Sequence, residues 1–147
     1  MLIETLRSLF SRDLTRLQNE IESYEKEQNI WKIEGQINNS AGNLCLHICG
    51  NLNTYIGKEI GNTGYVRNRE DEFALKNIPR EELIKKIEDT IRTVNSSLEN
   101  LDEKTLENEY PVLVFDKKTS TEYLLVHLAM HLSYHLGQVN YHRRTVD

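Results

Sequence analysis

The sequence predicts an all-α protein, a four-helix bundle with at least one long crossover between its helices. Three observations support this. Four segments carry apolar residues at three- and four-residue steps, the chain holds only two prolines, and no internal repeat or low-complexity tract interrupts it. Because 147 residues make one ordinary domain, we expect a single domain over residues 1–147.

The first and third helices are predicted from the spacing of their apolar residues. The first covers roughly residues 2–27, with apolar positions Ile3, Leu6, Phe10, Leu14, Leu17, Ile21 and Tyr24. The third begins at Pro79, a favoured first-turn residue, and places Glu81 and Glu82 near the positive end of the helix dipole. Its core face carries Leu83, Ile87, Ile91, Val94, Leu98 and Leu101.

The second helix is predicted between a polar start and a glycine. Asn39 and Ser40 are good N-cap residues, and the helix should end near Gly61. Gly50 and Gly57 lie inside it, although each glycine costs about 1 kcal/mol against alanine in a helix. We therefore expect a neighbouring helix to approach closely on this face.

The last helix is predicted to begin at Thr119-Ser120 and to run to about Arg144. Residues 61–77, between the second and third helices, are polar and long enough for a crossover. Residues 110–115 are apolar but contain a proline, so we expect an extended connector in which a single short strand can form.

Composition excludes several classes of function. The content of 38% hydrophobic and 28% charged residues is typical of a globular protein, and the net charge of −5, with scattered positive residues, makes nucleic acid an unexpected partner. No apolar run approaches the ~20 residues that span a membrane, and residues 1–7 carry charge too early for a signal peptide. We expect a cytoplasmic protein, with Cys45 and Cys49 as free thiols packed in the core and Trp31 in a structural role.

The histidines are the residues most indicative of chemistry. Of five histidines, four lie in the last predicted helix, and His127, His131 and His135 repeat at every fourth position, ahead of His142. Two imidazoles four residues apart can reach one cation at the ~2.0–2.1 Å of a metal–nitrogen bond. His47, on the predicted core face of the second helix, can supply a third ligand. A lone buried histidine is usually just hydrogen bonded, but several imidazoles in a dry interior need partners, which favours shared metal ligation.

Two known metal motifs are absent. Neither the segment 127–131 nor the segment 131–135 has the glutamate that follows the first histidine in the zinc-protease helix. No Glu-x-x-His occurs near the histidines, which disfavours a di-iron carboxylate bundle. The sequence supports neither peptide hydrolysis nor di-metal oxygen chemistry.

Three blocks of the sequence are typical of a known superfamily. They are Asn39–His47 with residues 50–52, Arg67-Asn-Arg followed by Glu72-Phe, and the ending His127–Gln138, in which His-x-x-x-His precedes x-Gly-Gln. On these residues the chain resembles the DinB-like (DinB/YfiT-like) superfamily of metalloenzymes, and within it an uncharacterised branch. The resemblance spans nearly the whole chain.

The resemblance implies a four-helix bundle of up-up-down-down character, often dimeric, with one metal ion bound by the second and last helices. At the matching positions the ligands are His47, His131 and His135. His127 does not match a usual ligand position and is expected beside the ligands or, alternatively, in place of one of them. The residues expected around the ligands or in the pocket are His127, Tyr134, Gln138 and Asn51.

Characterised members of the superfamily include mycothiol-dependent isomerases and bacillithiol S-transferases, in which the metal is thought to lower the pKa of a cofactor thiol. The resemblance therefore implies a metal-dependent transferase that adds a low-molecular-weight thiol to an electrophilic small molecule. Zinc is the favoured metal for three imidazoles, with nickel, iron or manganese as alternatives. The partners expected are a small-molecule substrate and a second copy of the chain.

Two other functions stay open. One is a metal-dependent hydrolase, in which His127 or His142 acts as the base. The other is a non-catalytic, stress-associated helical dimer with a structural metal, although structural zinc sites normally have four protein ligands.

The charged block Arg67, Arg69 and Glu72 is interpreted as a solvated loop with weak charge pairs, the alternatives being an anion site or a dimer contact.

Overall fold

A computed structural model describes all 147 residues, and its regular elements are all helical. The five α-helices are α1 (Leu2–Glu22), α2 (Ala41–Leu52), α3 (Arg69–Ala74), α4 (Arg80–Glu99) and α5 (Thr121–Val146). Short 3₁₀ helices cover Glu27–Trp31 and Glu103–Glu107. An isolated β-bridge between Glu109 and Ser120 replaces the short strand considered for the last connector. The prediction of an all-α protein is confirmed.

Helix α1 ends at Glu22, several residues before the predicted end. The backbone amides of Glu25 and Lys26 instead donate hydrogen bonds to the Asp147 carboxylate, at 2.7 and 3.1 Å. Because these amides are satisfied by the C-terminal residue, they are not available to extend the helix. The chain then enters the 3₁₀ helix, in which Trp31 is buried.

Helix α2 begins as predicted, since the Ser40 hydroxyl accepts a hydrogen bond from the Asn43 backbone amide at 3.2 Å. Its α-helical part ends at Leu52, and the chain continues as a π-helix over Asn53–Lys58. A Cβ atom at Gly57 would lie 2.8 Å from Thr93 Cγ2. The close approach of a neighbouring helix, α4, therefore explains this glycine.

Helix α3 lies inside residues 61–77, the polar stretch predicted as a crossover. The Asn68 side chain accepts a hydrogen bond from the Asp71 amide at 3.3 Å and caps the helix. The Asn43 side-chain amide donates to the carbonyls of Glu72 and Leu75, both at 2.9 Å. These two bonds attach the short helix to the start of α2 and place Glu72 beside that helix.

The four long helices contact one another in pairs, α1 with α4 and α5, and α2 with α4 and α5. A cluster of 29 buried apolar residues fills the space between them. Cys45 and Cys49 belong to this cluster as free thiols, and Trp31 packs over Gly42, so all three have the structural roles predicted for them. None of the helices combines the length and the apolar character that crossing a membrane requires.

Helix α4 begins directly after Pro79, and α5 begins directly after Ser120, whose hydroxyl accepts a hydrogen bond from the Tyr123 amide at 3.1 Å. Both starts agree with the prediction. Helix α5 continues past Arg144 to Val146. It carries four of the five histidines and runs beside α2, which carries the fifth.

Candidate metal centre

Three histidine side chains meet where α2 packs against α5. Nε2 of His131 lies 3.3 Å from Nε2 of His47 and 3.0 Å from Nε2 of His135. His47 is buried, and the two histidines of α5 are half-buried. These three are the side chains that the structure brings together as a group able to hold a metal ion.

The spacing of the three nitrogens suits a divalent cation. A cation bonded to imidazoles at ~2.0–2.1 Å separates neighbouring nitrogens by about 3.0 Å in octahedral geometry and about 3.4 Å in tetrahedral geometry. The observed separations of 3.0 and 3.3 Å fall in this range. Since the group contains three protein ligands, one or more coordination positions remain for another molecule.

The hydrogen bonds behind the cluster fix which nitrogens carry lone pairs. His47 Nδ1 lies 3.1 Å from the Glu72 carboxylate, and His135 Nδ1 lies 2.7 Å from Gln138 Oε1. Both contacts require a proton on Nδ1, so in the neutral form of each ring the Nε2 atom carries the lone pair, and it points towards His131. His131 has at most one Nε2 proton to offer two lone pairs, and a cation satisfies all three nitrogens at once.

Glu72 is the side chain that orients His47. Its two carboxylate oxygens accept hydrogen bonds from Arg67 Nε at 2.8 Å and Arg67 Nη2 at 2.9 Å, and the carboxylate is buried. Burial by itself would raise the pKa of Glu72, but the hydrogen bonds from His47 and Arg67 outweigh it and lower the pKa. The carboxylate is therefore ionised, and it holds His47 in the tautomer that a metal needs.

Gly50 makes room for this carboxylate. A Cβ atom at residue 50 would overlap one carboxylate oxygen and the carboxyl carbon of Glu72. The neighbouring helix that requires the glycine is thus α3, through a charged side chain. Glycine at this position of α2 is therefore explained by the Glu72 side chain, which packs against the helix and also contacts His47.

Burial favours the neutral form of the two α5 histidines in the cluster. It lowers the pKa of His131 to about 4, with a further contribution from the neighbouring His135, His47 and His127. Burial also lowers the pKa of His135. Uncharged imidazole is the form that binds a metal, so the two histidines of α5 are ready to bind near neutral pH without first losing a proton.

The other residues expected near the ligands have different positions. The ring of His127 stacks on that of His131 with centroids 6.2 Å apart, and it meets Phe115 edge-on at 4.8 Å. Tyr134 is exposed, with its ring 5.4 Å from that of His135. Asn51 is buried one turn beyond His47, and its side-chain oxygen has no hydrogen-bond partner in the chain.

His142 lies outside the cluster. Its Nε2–H donates to the Lys32 carbonyl at 2.7 Å, and its Nδ1 accepts from the Tyr24 hydroxyl at 2.6 Å. Both ring nitrogens are therefore used in joining α5 to the segment between α1 and α2. Its role is structural, and it has no free nitrogen with which to act as a base.

The sequence interpretation missed the role of Glu72. Arg67 and Glu72 are packed against His47 and do not form the solvated loop that we expected, whereas Arg69 is exposed. The motif Arg67-Asn-Arg-x-x-Glu72 gives no indication of its partner, because the contact depends on how α3 packs on α2. One signal was present: Gly50, three residues after His47, marks a close approach on the same side of α2.

Comparison with known proteins gives a family without a known function. A model for proteins of unknown function, DUF1572, matches residues 2–147. No curated protein and no solved structure matches the chain. Because the match spans almost the full length, the chain belongs to the DUF1572 family, which is a DinB-like family.

Proposed function

We propose that the protein is a divalent-metal-dependent transferase that joins a low-molecular-weight thiol to an electrophilic small molecule. Metal binding is supported by the convergence of His47, His131 and His135. The hydrogen bonds at Nδ1 of His47 and of His135 also direct the Nε2 lone pairs of these two rings towards the shared centre. The thiol rests on the resemblance to the DinB-like superfamily and on the chemistry of the cluster.

The cluster suits a reactant that ionises easily. Glu72, the carboxylate in contact with the cluster, is paired with His47 and Arg67 and has no oxygen free to act as a base. His142, one of two candidate bases for a hydrolase, is occupied elsewhere. A thiol, with an ordinary pKa of about 8.5, loses its proton far more readily than water does, so a site without a free carboxylate favours the thiol.

A divalent cation held by three neutral imidazoles supplies net positive charge, which lowers the pKa of a thiol and favours its nucleophilic thiolate form. In the transfer, the thiol gives its proton to solvent, sulfur bonds to the electrophilic carbon, and the leaving group departs with the bonding electron pair. Glu72 and Gln138 act by keeping His47 and His135 in the required tautomers.

All-nitrogen ligation favours zinc, with nickel, iron or manganese as the alternatives. Metal analysis of protein purified without an affinity tag tests the first half of the proposal, and we expect one divalent ion per chain. Assays of the loaded protein with several low-molecular-weight thiols and an alkylating electrophile test the second half. Turnover of simple esters without any thiol would overturn the transferase proposal in favour of a hydrolase.

We further propose that the four long helices have the up-up-down-down order of the superfamily and that the protein is a cytoplasmic homodimer. The pairwise contacts among α1, α2, α4 and α5 and the two free thiols are in keeping with this. Helix α5 offers a surface for a second copy, because the twenty residues 123–142 include no Asp, Glu, Lys or Arg. Exposed apolar side chains on it are Tyr123, Val126, Met130, Tyr134 and Tyr141.

The dimer is tested by sedimentation of the protein and of the Met130→Glu variant. Two charges brought together at a self-complementary interface should shift the equilibrium to monomer, whereas Val66→Glu, at an exposed apolar residue outside α5, should not. A wild-type protein that sediments as a monomer at high concentration would contradict the proposal.

A further inference from the structure

A groove of about 780 Å³ lies beside the metal centre, on the C-terminal half of α5. Its walls are the segment of residues 34–39, the first turn of α2 at Leu44, and α5 from Gln138 to Thr145. Its position follows from two fixed points. The Lys32 carbonyl is hydrogen bonded to His142, and Ser40 caps α2, so both ends of the intervening segment are held.

The shape of this segment also depends on Gly35. Its φ angle of +58° lies in the left-handed region, and no atom comes within 4 Å of a Cβ built there. The glycine is therefore explained by the turn and not by a lack of space. The Ile37 amide donates to the Glu34 carbonyl at 3.1 Å across the same turn. The groove is thus a formed feature of the chain.

Most of the residues that line the groove carry uncharged hydrogen-bonding groups. Carboxamides and hydroxyls come from Gln36, Asn38, Asn39, Gln138, Tyr141 and Thr145. Its only charged residue, Glu34, lies 3.5 Å from the ammonium group of Lys32. The groove contains no Lys or Arg side chain, so it lacks the cations that bind phosphate or carboxylate ligands.

Gln138 connects the groove to the metal centre. Its Oε1 accepts the hydrogen bond from His135 Nδ1 at 2.7 Å, and this leaves its amide NH₂ group free to donate. The same side chain forms part of the groove wall. A ligand in the groove that accepts a hydrogen bond from Gln138 therefore lies next to a histidine of the cluster.

We propose that this groove binds the uncharged, polar part of the small molecule whose reactive group reacts at the three-histidine cluster. The ligand class is an amide- or hydroxyl-bearing compound, held by Gln138, Asn39 and Thr145 and packed on the ring of Tyr141. The link to catalysis rests on the function proposed above, but binding in the groove does not. The groove is formed by side chains other than the three histidines and should bind in metal-free protein too.

The test is a titration followed by NMR of backbone and side-chain amides, with the metal-free and the zinc-loaded protein. The probes are N-acetylglycinamide and methyl glucoside as uncharged ligands, and inorganic phosphate and acetate as anions. We expect saturable shifts of the Gln138 side-chain amide and of the Asn39 and Thr145 amides with at least one uncharged probe. We expect none at these positions with either anion.

The matched variants are Thr145→Val in the groove and Thr15→Val on the exposed side of α1. The first removes one hydroxyl and should weaken binding of the uncharged probe about fivefold, and the second should leave it unchanged. Absence of saturable shifts from both uncharged probes, shifts outside the groove, or binding of phosphate there would each overturn the proposal. Failure of zinc to bind, with the groove shifts retained, would count against the proposed function alone.

Discussion

The buried His142 and the three-histidine cluster differ in how completely the protein satisfies their ring nitrogens. His142 has both ring nitrogens hydrogen bonded within the chain, to the Tyr24 hydroxyl and the Lys32 carbonyl. In the three-histidine cluster, His47 and His135 each have one nitrogen bonded to a side chain behind it, and the other nitrogen points to a shared centre. Three of these four histidines lie on α5 and all are at least half-buried, yet only His142 has all its hydrogen-bond partners in the chain.

This contrast shows how a structural histidine and a ligand histidine can be distinguished. Burial alone does not separate them, because burial lowers the pKa of His131, His135 and His142 alike. The hydrogen-bond partners separate them. A buried polar group without a partner in the chain is costly, so convergence of several such groups indicates a ligand from outside.

The largest expected effect is on metal binding. His131→Ala removes the central ligand and should abolish stoichiometric binding of zinc while the helical content stays largely intact. Metal analysis and circular dichroism measure the two quantities. Retention of one tightly bound ion would contradict the assignment of the centre.

The same substitution at the structural histidine, His142→Ala, should lower the stability of the protein and leave metal binding unchanged. It leaves the Tyr24 hydroxyl without a partner and opens a cavity, so we expect a loss of stability of about 2–3 kcal/mol. Its zinc stoichiometry should remain that of the wild type. If both variants lost the metal, the distinction between His142 and the three-histidine cluster would fail.

The next largest effect concerns the side chain behind His47. Glu72→Gln leaves the Arg67 guanidinium without its ion pair and weakens the hold on the His47 tautomer, so zinc affinity should fall about 10–100-fold. Glu70→Gln, an exposed residue of the same short helix, is the control and should change affinity little. Competition with a chromophoric chelator gives both affinities, and equal values would show that Glu72 does not position the ligand.

The pH dependence of the metal-free protein gives a smaller effect. The pKa of His131 is about 4 in the folded chain, against 6.5 for an unperturbed histidine. Between these values the unfolded chain binds more protons, so this contribution to stability is fully present above pH 6.5 and is lost as the pH falls towards 4. Denaturant titrations from pH 7 to 5 should show falling stability, with a shallower slope in His131→Ala. An equal slope in the variant would count against the low pKa.

The smallest expected effect is a difference in stability between alanine substitutions at two helical glycines. At Gly50 an added methyl group overlaps the Glu72 carboxylate, so Gly50→Ala should destabilise the protein by roughly 1–3 kcal/mol and weaken metal binding. At Gly137 nothing lies within 4 Å of a built Cβ, so Gly137→Ala should stabilise the chain by up to ~1 kcal/mol. Thermal unfolding of both variants measures the difference, and a stabilising Gly50→Ala would show that the carboxylate is not fixed there.

The long helices were predictable from the sequence because their signals are local. Ser40 and Ser120 cap α2 and α5 where the polar residues before each apolar pattern indicated, and Pro79 precedes α4. The early end of α1 was not predictable, since it depends on the carboxylate of Asp147 at the far end of the chain. Helix α3 was missed because six residues are too short for apolar periodicity, and Asn43 of α2 holds it in place.

The candidate site likewise has a part that the sequence predicts and a part that it does not. The spacing of His131 and His135 placed both on one face of a helix, and His47 was the one other histidine able to join them. What the sequence could not provide is the second contact of each ring. Gln138 lies three residues from His135 and Glu72 lies 25 residues from His47, and neither separation distinguishes a hydrogen-bond partner from a chance neighbour.

His47 and His131 are 84 residues apart in the chain, yet their Nε2 atoms are neighbours. One ion bound by both would act as a reversible cross-link between α2 and α5, and it would close the polypeptide between them into a loop. Binding energy that depends on the assembled fold is also folding energy, so zinc should raise the melting temperature in proportion to the logarithm of its free concentration. Removal of the ion by a chelator would release the constraint between these two helices and leave contacts within each one intact.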